Sequence, residues 1–211
     1  MGRGDENHMR RALTLARRAP YTNGNPRVGA VVARGEAVVG EGFHLGSGHP
    51  HAETEALRDV DARGATMYVT LEPCNHHGET PPCAPALVNA GLARVVVAIA
   101  DPDERVKGSG IDHLQGHGIE VEVGVLEDDA RELNAAFFHH RTTGLPLVVL
   151  KLALTLDGRL AAADGSSQWI TSGEARRRVH EARLAADAVM VGSGTVVTDD
   201  PSLSVRAVEA S

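Results

Sequence analysis

The sequence has few aromatic residues and only two cysteines. Phe, Trp and Tyr make up 3% of its 211 residues, and the formal net charge is −7. The first 140 residues hold 13 Lys and Arg against 20 Asp and Glu. A nucleic-acid surface needs a basic track and aromatic rings on which bases stack. Both are lacking, so we exclude nucleic acid as a partner and expect a small soluble substrate.

Long apolar runs are also absent. No stretch approaches the roughly 20 apolar residues of a membrane helix, and residues 1–20 lack the apolar core of a secretory signal. We therefore expect no membrane partner and a cytoplasmic location. A reducing cytosol keeps Cys74 and Cys83 as thiols, although a disulfide between them is the alternative at this point.

What the sequence does contain is a set of zinc ligands. His51-Ala52-Glu53 is followed by Pro73-Cys74 and, after eight further residues, by Cys83. One imidazole and two thiolates suit a catalytic zinc that keeps its fourth position for water. In zinc nucleobase deaminases, the Glu two residues after the His is the acid–base residue and not a ligand. We predict zinc on His51, Cys74 and Cys83, with Glu53 as the catalytic residue.

The alternative is a closed structural zinc site, in which His76 or His77 supplies a fourth ligand. Both ligand segments fall at predicted helix starts, where free N–H groups and the helix dipole stabilise thiolates. A purely structural site needs no acid–base residue, so the presence of Glu53 favours the catalytic interpretation.

Hydrophobic periodicity predicts alternating helices and strands in the order α-β-β-α-β-α-β-α-β-α. Apolar strands separated by helices indicate a mixed sheet covered on both faces. A Gly/Asn/Pro loop is predicted at residues 21–26. The predicted helices span residues 5–19, 51–63, 84–90, 110–115 and 127–140. The predicted strands span residues 28–32, 37–43, 66–71, 94–100 and 119–123.

Four stretches of the sequence resemble the bifunctional riboflavin-biosynthesis deaminase/reductase family. Three begin at Asn25, Gly42 and Gly48, and the fourth runs from Glu72 to Cys83 and ends in Gly-x-Thr-Pro-Pro-Cys. The eight-residue gap between the cysteines is characteristic of this family, since other base deaminases have two residues there. The resemblance implies a cytidine-deaminase-like α/β fold, a three-layer α-β-α arrangement around a mixed sheet.

The resemblance also implies the substrate, a small-molecule pyrimidine ribosylamino phosphate whose ring loses one amino group as ammonia. Glu53 is then expected to protonate the ring nitrogen and the departing amine. Asn25 is expected to contact the ring, although Asn before Pro is also a turn signal. The substrate-binding residues implied in the deaminase part are Asn25, His44, His76, His77, Asp101 and Lys107.

A phosphate cradle is expected in the loop at residues 101–110, where glycine N–H groups lie at a helix start and Lys107 adds a positive charge. The sequence departs from the family pattern at three positions here. Asp103 and Glu104 replace Asn and Pro, and Glu79 stands where the family often has Arg. All three changes add acid around the expected phosphate site.

After a linker at residues 141–146 the pattern restarts, with a predicted strand at 147–154, a helix at 174–186 and a strand at 188–192. These residues resemble the start of the family's NADPH-dependent reductase domain. The NADPH contacts implied are Ala153, Trp169, Thr195 and Asp199. The reductase-substrate contacts implied are Ser167, Arg183, Leu203 and Arg206. Core packing explains Ala153 and Leu203 equally well.

We therefore predict a zinc-dependent deaminase domain at residues 1–144, followed by the N-terminal part of a reductase domain at 145–211. A dinucleotide-binding domain usually needs well over 100 residues, so we expect this part to be incomplete and to lack NADPH-dependent activity by itself. Its apolar strands favour a homo-oligomer. Two other functions stay open, a different base deaminase and a zinc-stabilised binding module without catalysis.

Overall fold

A computed structural model describes residues 2–19, 24–103, 106–206 and 208. Residues 21–23 of the predicted loop, and Glu104, lie outside this part of the chain. The helices are α1 Arg3–Ala16, α2 Ala52–Ala56, α3 Cys83–Asn89, α4 Ser109–Gly116, α5 Glu127–Leu133, α6 Ala135–Thr143, α7 Gly173–Leu184 and α8 Ser193–Asp199. The strands are β1 Gly29–Arg34, β2 Ala37–Phe43, β3 Thr66–Val69, β4 Arg94–Val97 and β5 Glu120–Val123.

The five strands form one mixed sheet in the order β2-β1-β3-β4-β5. The strand β1 is antiparallel to both of its neighbours, while β3, β4 and β5 are parallel. The carboxyl ends of β3 and β4 therefore meet the start of β1 at one edge. Ligands of open α/β sheets bind at such an edge. The predicted order of elements and the mixed sheet are confirmed.

Apolar side chains cover both faces of the sheet, because successive strand residues point to opposite sides. One core joins Val32, Met67 and Val95 to residues of α2, α3 and α4. The other joins Val31 and Val96 to residues of α1, α5 and α6. The result is the three-layer α-β-α arrangement that was expected, with the sheet in the middle.

The helix α2 is much shorter than the predicted helix at residues 51–63. The chain leaves the helix at Leu57, and Asp59 adopts a left-handed conformation with a φ of 58°. The short helix lies directly against β2, since a Cβ on Gly42 would stand 2.3 Å from the Ala52 carbonyl oxygen. This close approach fixes the height of the first turn of α2 above the sheet.

The predicted helix at residues 127–140 is interrupted. Asn134 ends α5 and precedes α6 with φ −116° and ψ 28°, which are not helical values. Its buried carboxamide bonds to the backbone of a distant segment and not to the helix. The break turns α6 so that Phe137 and Arg141 line the cleft described below.

The chain divides into two compact units, Met1–Leu147 and Val148–Ser211. The described residues of the second unit contain α7 and α8 and no paired strand, so the strands predicted at 147–154 and 188–192 are wrong. A strand needs a neighbour for its N–H and C=O groups, and this part of the chain offers none. Val148, Val149 and Leu150 are accordingly 78%, 77% and 79% exposed.

In the described part of the chain, no helix has the length and apolarity needed to span a bilayer.

Candidate active site

Three metal-ligand side chains converge from three chain segments. His51 immediately precedes α2, Cys74 follows β3, and Cys83 is the first residue of α3. His51 Nδ1 lies 3.5 Å from Cys74 Sγ and 3.2 Å from Cys83 Sγ. Zinc bonds of about 2.0 Å to nitrogen and 2.3 Å to sulfur place tetrahedral donors roughly 3.5 Å apart. The donor types and their separations therefore fit zinc.

The ligand set has three members in the part of the chain that the structure describes. His51, Cys74 and Cys83 form a group, and no fourth His, Cys, Asp or Glu joins them. The closed site completed by His76 or His77 is therefore wrong. The disulfide is wrong as well, because both cysteines are free. A three-ligand set leaves a coordination position for water or substrate.

The electrostatics of the site favour a thiolate. Hydrogen bonds from Cys83 and His51 hold the pKa of Cys74 well below its usual value, at about 4. The Cys83 backbone N–H also donates to Cys74 Sγ at 3.3 Å. The hydrogen bond with Cys74 in turn raises the pKa of His51. A thiolate at Cys74 is the form that binds a metal.

The ring of His51 is also held on its other side. Its Nε2 lies 3.1 Å from the hydroxyl oxygen of Thr80. A metal-binding imidazole commonly donates its second N–H to such an acceptor, which fixes the tautomer and the ring orientation. Thr80 therefore directs Nδ1 toward the two sulfurs. No role for Thr80 was predicted from the sequence, although Thr80 belongs to the loop motif that ends in Cys83.

Glu53 is a buried carboxyl group beside the ligands. It lies in the first turn of α2 and is 4% exposed. Burial raises its pKa to about 7, against the opposing effect of the nearby His51. A carboxyl group that exchanges a proton near neutral pH is suited to general acid–base catalysis.

These residues lie in a cleft of about 510 Å³ within the first unit. The predicted contacts Asn25, His44, His76 and Asp101 line it, together with His51, Glu53 and Cys74. His77 and Lys107 are exposed and are not among its lining residues. The structure thus brings four of the six predicted substrate contacts together around the metal ligands.

His44 presents a hydrogen-bond acceptor. Its Nδ1 lies 3.0 Å from the Pro50 carbonyl oxygen, which can only accept, so Nδ1 carries the proton. Burial lowers the pKa of His44, which favours the neutral ring. The remaining nitrogen, Nε2, is therefore an acceptor. The His44 and His51 rings are 5.1 Å apart and nearly perpendicular.

The predicted phosphate cradle is occupied by a side chain of the protein itself. The carboxylate of Glu72 is 4% exposed and accepts the N–H groups of Asp101, Gly108 and Gly110 at 3.2, 3.0 and 3.1 Å. A Cβ on Gly110 would lie 1.9 Å from the Pro73 carbonyl oxygen, so only glycine fits there. Glu72 therefore ties the start of α4 to the segment that carries Cys74. Its partners are distant in sequence, and no local pattern indicated this role.

Acidic and basic side chains both lie at the rim of the cleft. The carboxylate of Glu79 accepts hydrogen bonds from the Ser47 hydroxyl and the Gly48 N–H, which lower its pKa. Arg141 of α6 packs over Phe137 and lies 3.5 Å from Asp103. Arg141 is a cleft cation that sequence analysis missed, because the predicted helix ended at residue 140.

Both parts of the chain match described protein families. Residues 3–99 match the cytidine and deoxycytidylate deaminase zinc-binding region, and residues 146–211 match the RibD C-terminal domain. The chain is 52% identical to the riboflavin biosynthesis protein RibD of Aquifex aeolicus over 205 residues, which are 96% of this chain and 58% of that protein. The Escherichia coli RibD is 50% identical, with 96% of this chain and 56% of that protein covered.

A solved structure has the same fold. Acinetobacter baumannii RibD superposes with a TM-score of 0.88 at 50% identity, covering 96% of this chain and 58% of that one. Nearly the whole chain is thus similar to RibD proteins. It spans a little over half the length of the RibD proteins that it matches. The zinc-binding deaminase region and the RibD C-terminal domain fit zinc and NADPH as cofactors.

The residues that match the RibD C-terminal domain are only partly brought together. Ser167 and Trp169 line one shallow depression in the second unit, and the Trp169 ring lies 4.2 Å from the Arg176 guanidinium. Ala153, Thr195 and Asp199 are not among the lining residues of that depression.

The other predicted contacts of the RibD C-terminal domain bond within the second unit. Arg183 donates to the carbonyl oxygens of Ser202 and Ser204, on either side of Leu203, at 3.3 and 3.4 Å. The Arg206 N–H donates to His180 Nδ1 at 3.3 Å. The described residues of this unit therefore do not assemble the predicted NADPH contacts into one site.

Proposed function

We propose that the unit Met1–Leu147 catalyses the hydrolytic deamination of a diaminopyrimidine ribosylamino phosphate in riboflavin biosynthesis. The observation that carries the proposal is the buried carboxyl of Glu53 beside the His51, Cys74 and Cys83 set in a substrate-sized cleft. A related Thermotoga maritima structure, described as a diaminohydroxyphosphoribosylaminopyrimidine deaminase and 5-amino-6-(5-phosphoribosylamino)uracil reductase, is 45% identical with a TM-score of 0.87. It covers 94% of this chain and 58% of that one.

The side chains divide the work of the reaction. When bound, zinc supplies Lewis-acid activation of the attacking water. Glu53 takes one proton from this water and delivers it to the ring nitrogen beside the amine-bearing carbon. It then transfers the second proton to the departing amine, which leaves as ammonia. The proposed substrate contacts are Asn25 on the ring, the histidines on the ring or the ribose phosphate (His44, His76 and His77), and Asp101 and Lys107 of the loop at residues 101–110.

Replacing Glu53 tests this function. Glu53→Gln removes the proton carrier and keeps the shape, so zinc content should be unchanged while kcat for ammonia release falls by about 10²–10⁴-fold. Glu55→Gln, on the same helix and paired with Arg58, is the control and should retain activity. Assays with the diaminopyrimidine phosphate, with cytidine and with tRNA distinguish the proposed substrate from other bases. Near-normal turnover in Glu53→Gln would contradict the assigned role.

We also propose that residues 145–211 contribute to an NADPH-dependent reductase, with Ala153, Trp169, Thr195 and Asp199 on the dinucleotide and Ser167, Arg183, Leu203 and Arg206 on its substrate. The match of residues 146–211 to the RibD C-terminal domain supports this. A cytoplasmic location and a homo-oligomeric state complete the proposal. Two free thiols at a metal site support the location, because thiolate ligands persist in reducing compartments.

A further inference from the structure

Asn134 occupies the position before a helix, but its side chain does not cap that helix. It lies between α5 and α6, where an Asn side chain commonly caps the following helix. Here it makes no cap, and only 6% of the residue is exposed. Its Oδ1 accepts the Arg27 N–H at 2.8 Å, and its Nδ2 donates to the Arg27 carbonyl oxygen at 2.9 Å. Both polar groups of the carboxamide therefore bond to the backbone of Arg27, which is 107 positions away in sequence.

The segment that Asn134 holds is part of the cleft wall. Asn25, Pro26 and Val28 line the cleft on either side of Arg27. On its other side Arg27 is tied to the end of α1, where its guanidinium donates to the carbonyl oxygens of Ala19, at 3.0 Å, and of Arg17. Side-chain bonds to α1 and backbone bonds to Asn134 therefore fix this segment from two directions.

The same residue directly precedes another part of the cleft wall. Asn134 interrupts the helix, and the α6 that follows it supplies Phe137 and Arg141 to the cleft. Asn134 thus links the segment that carries Asn25 to the start of α6.

We propose that Asn134 is a positioning residue, which holds the Asn25 side chain at the distance from the metal ligands that the reaction requires. This inference rests on the proposed deamination. Removing the carboxamide leaves the Arg27 N–H and carbonyl without that partner and frees the segment to move. A misplacement of about 1 Å can cost roughly 10²-fold in rate, even when the altered residue does not touch the substrate.

A double-mutant cycle tests the inference. Asn134→Ala should lower kcat/KM for ammonia release by roughly 10–100-fold, with one zinc per chain retained. Combined with Asn25→Ala, it should add little further loss, because the two residues act through one contact. Asn134→Ser keeps a shorter, uncharged hydrogen-bonding group at this position, so its loss should be intermediate. This variant carries the test if Asn134→Ala does not fold.

Tyr68→Phe is the matched control, since it also removes a partly buried hydrogen bond, that to Asp5, and Tyr68 does not line the cleft. It should lower the melting temperature while kcat/KM stays within about twofold. The proposal is overturned if Tyr68→Phe loses as much kcat/KM as Asn134→Ala. It is also overturned if the losses of Asn25→Ala and Asn134→Ala multiply in the double variant. Either result would mean that Asn134 contributes only to the stability of the fold.

Amide exchange separates this inference from the proposed function. The Arg27 amide should exchange roughly 10-fold faster in Asn134→Ala than in the wild type, because one hydrogen bond is lost. Unchanged exchange overturns the inference whatever the activity. A wild-type protein that releases no ammonia would contradict the proposed function, and accelerated exchange at Arg27 would still establish the clamp on the cleft wall.

Discussion

Thr80 acts on the metal site through a single atom. Its hydroxyl oxygen is the partner of His51 Nε2, and the opposite ring nitrogen faces Cys74 and Cys83. This arrangement fixes the ligand ring without adding a ligand. Because the hydroxyl accepts and carries no formal charge, it orients the imidazole and leaves the charge of the metal set unchanged.

Thr80→Val keeps the shape of the side chain and removes the acceptor. Loss of such an outer partner typically lowers metal affinity by about 10–100-fold, and we expect a zinc dissociation constant raised by that factor. The measurement is zinc retention against a chelator of known affinity. Thr142→Val is the control, since the Thr142 hydroxyl donates to the carbonyl oxygens of Phe138 and His139 in its own helix. Equal zinc affinity in Thr80→Val and the wild type would show that the contact is incidental.

Residues whose chemistry is local were predictable from the sequence. His51, Glu53, Cys74 and Cys83 were assigned because zinc restricts its donors to a few types and the motif carries its own spacing. Glu72 and Asn134 were not assigned. Their partners lie 29 to 38 and 107 positions away in sequence, so their roles exist only after the sheet has brought those segments together.

At the scale of elements, α1 is anchored to the sheet by a charged contact at its first turn. Asp5 accepts hydrogen bonds from Arg94 and from the Tyr68 hydroxyl, both at 2.8 Å. Arg94 also pairs with Glu120 and Glu122 of β5, so one guanidinium joins β4 and β5 to α1. The hydrogen bond from Arg94 lowers the pKa of Asp5.

This contact predicts a pH dependence of stability. Because the folded pKa of Asp5 is depressed, its stabilisation is complete above the unfolded value of about 3.9 and is lost as pH falls through the folded value. Asp5→Asn should lower the free energy of unfolding by about 1–2 kcal/mol at pH 7. Urea titrations from pH 7 downward should show the difference from wild type shrinking below about pH 4. A difference that grows at low pH would contradict the assignment.

Element lengths were harder to predict than their order. The helix predicted at 51–63 has apolar residues at helical spacing, but Val60 reaches the core from outside the helix, after the left-handed turn at Asp59. The periodicity therefore predicted correctly that Val60 packs against the core, and it predicted wrongly that Val60 is helical. The strand predicted at 147–154 failed for a different reason, since an apolar run indicates a strand only where a neighbour can pair with it.

At the scale of the whole molecule, the candidate active site belongs to one unit. All five strands, both apolar cores and every lining residue of the cleft lie within Met1–Leu147. Among the described residues of the second unit, apolar side chains such as Met190 at 91% and Val197 at 86% are exposed, and none belongs to a buried apolar core.

A variant that ends at Leu147 should therefore keep the proposed deaminase activity. We expect one zinc per chain and ammonia release within about twofold of the 211-residue protein, because no described contact of the cleft is removed. Binding of an apolar dye should fall with the loss of the exposed segment. Loss of zinc or of activity in the shortened protein would show that the second unit supports the first.

The clamp between Arg27 and Asn134 has a consequence for the order of synthesis. The last metal ligand, Cys83, leaves the ribosome 51 residues before Asn134, which corresponds to roughly 3–10 s at ordinary translation rates. During that interval the nascent chain already carries every zinc donor but not the residue that fixes the cleft wall. Metal capture can therefore precede substrate recognition in the life of each new molecule.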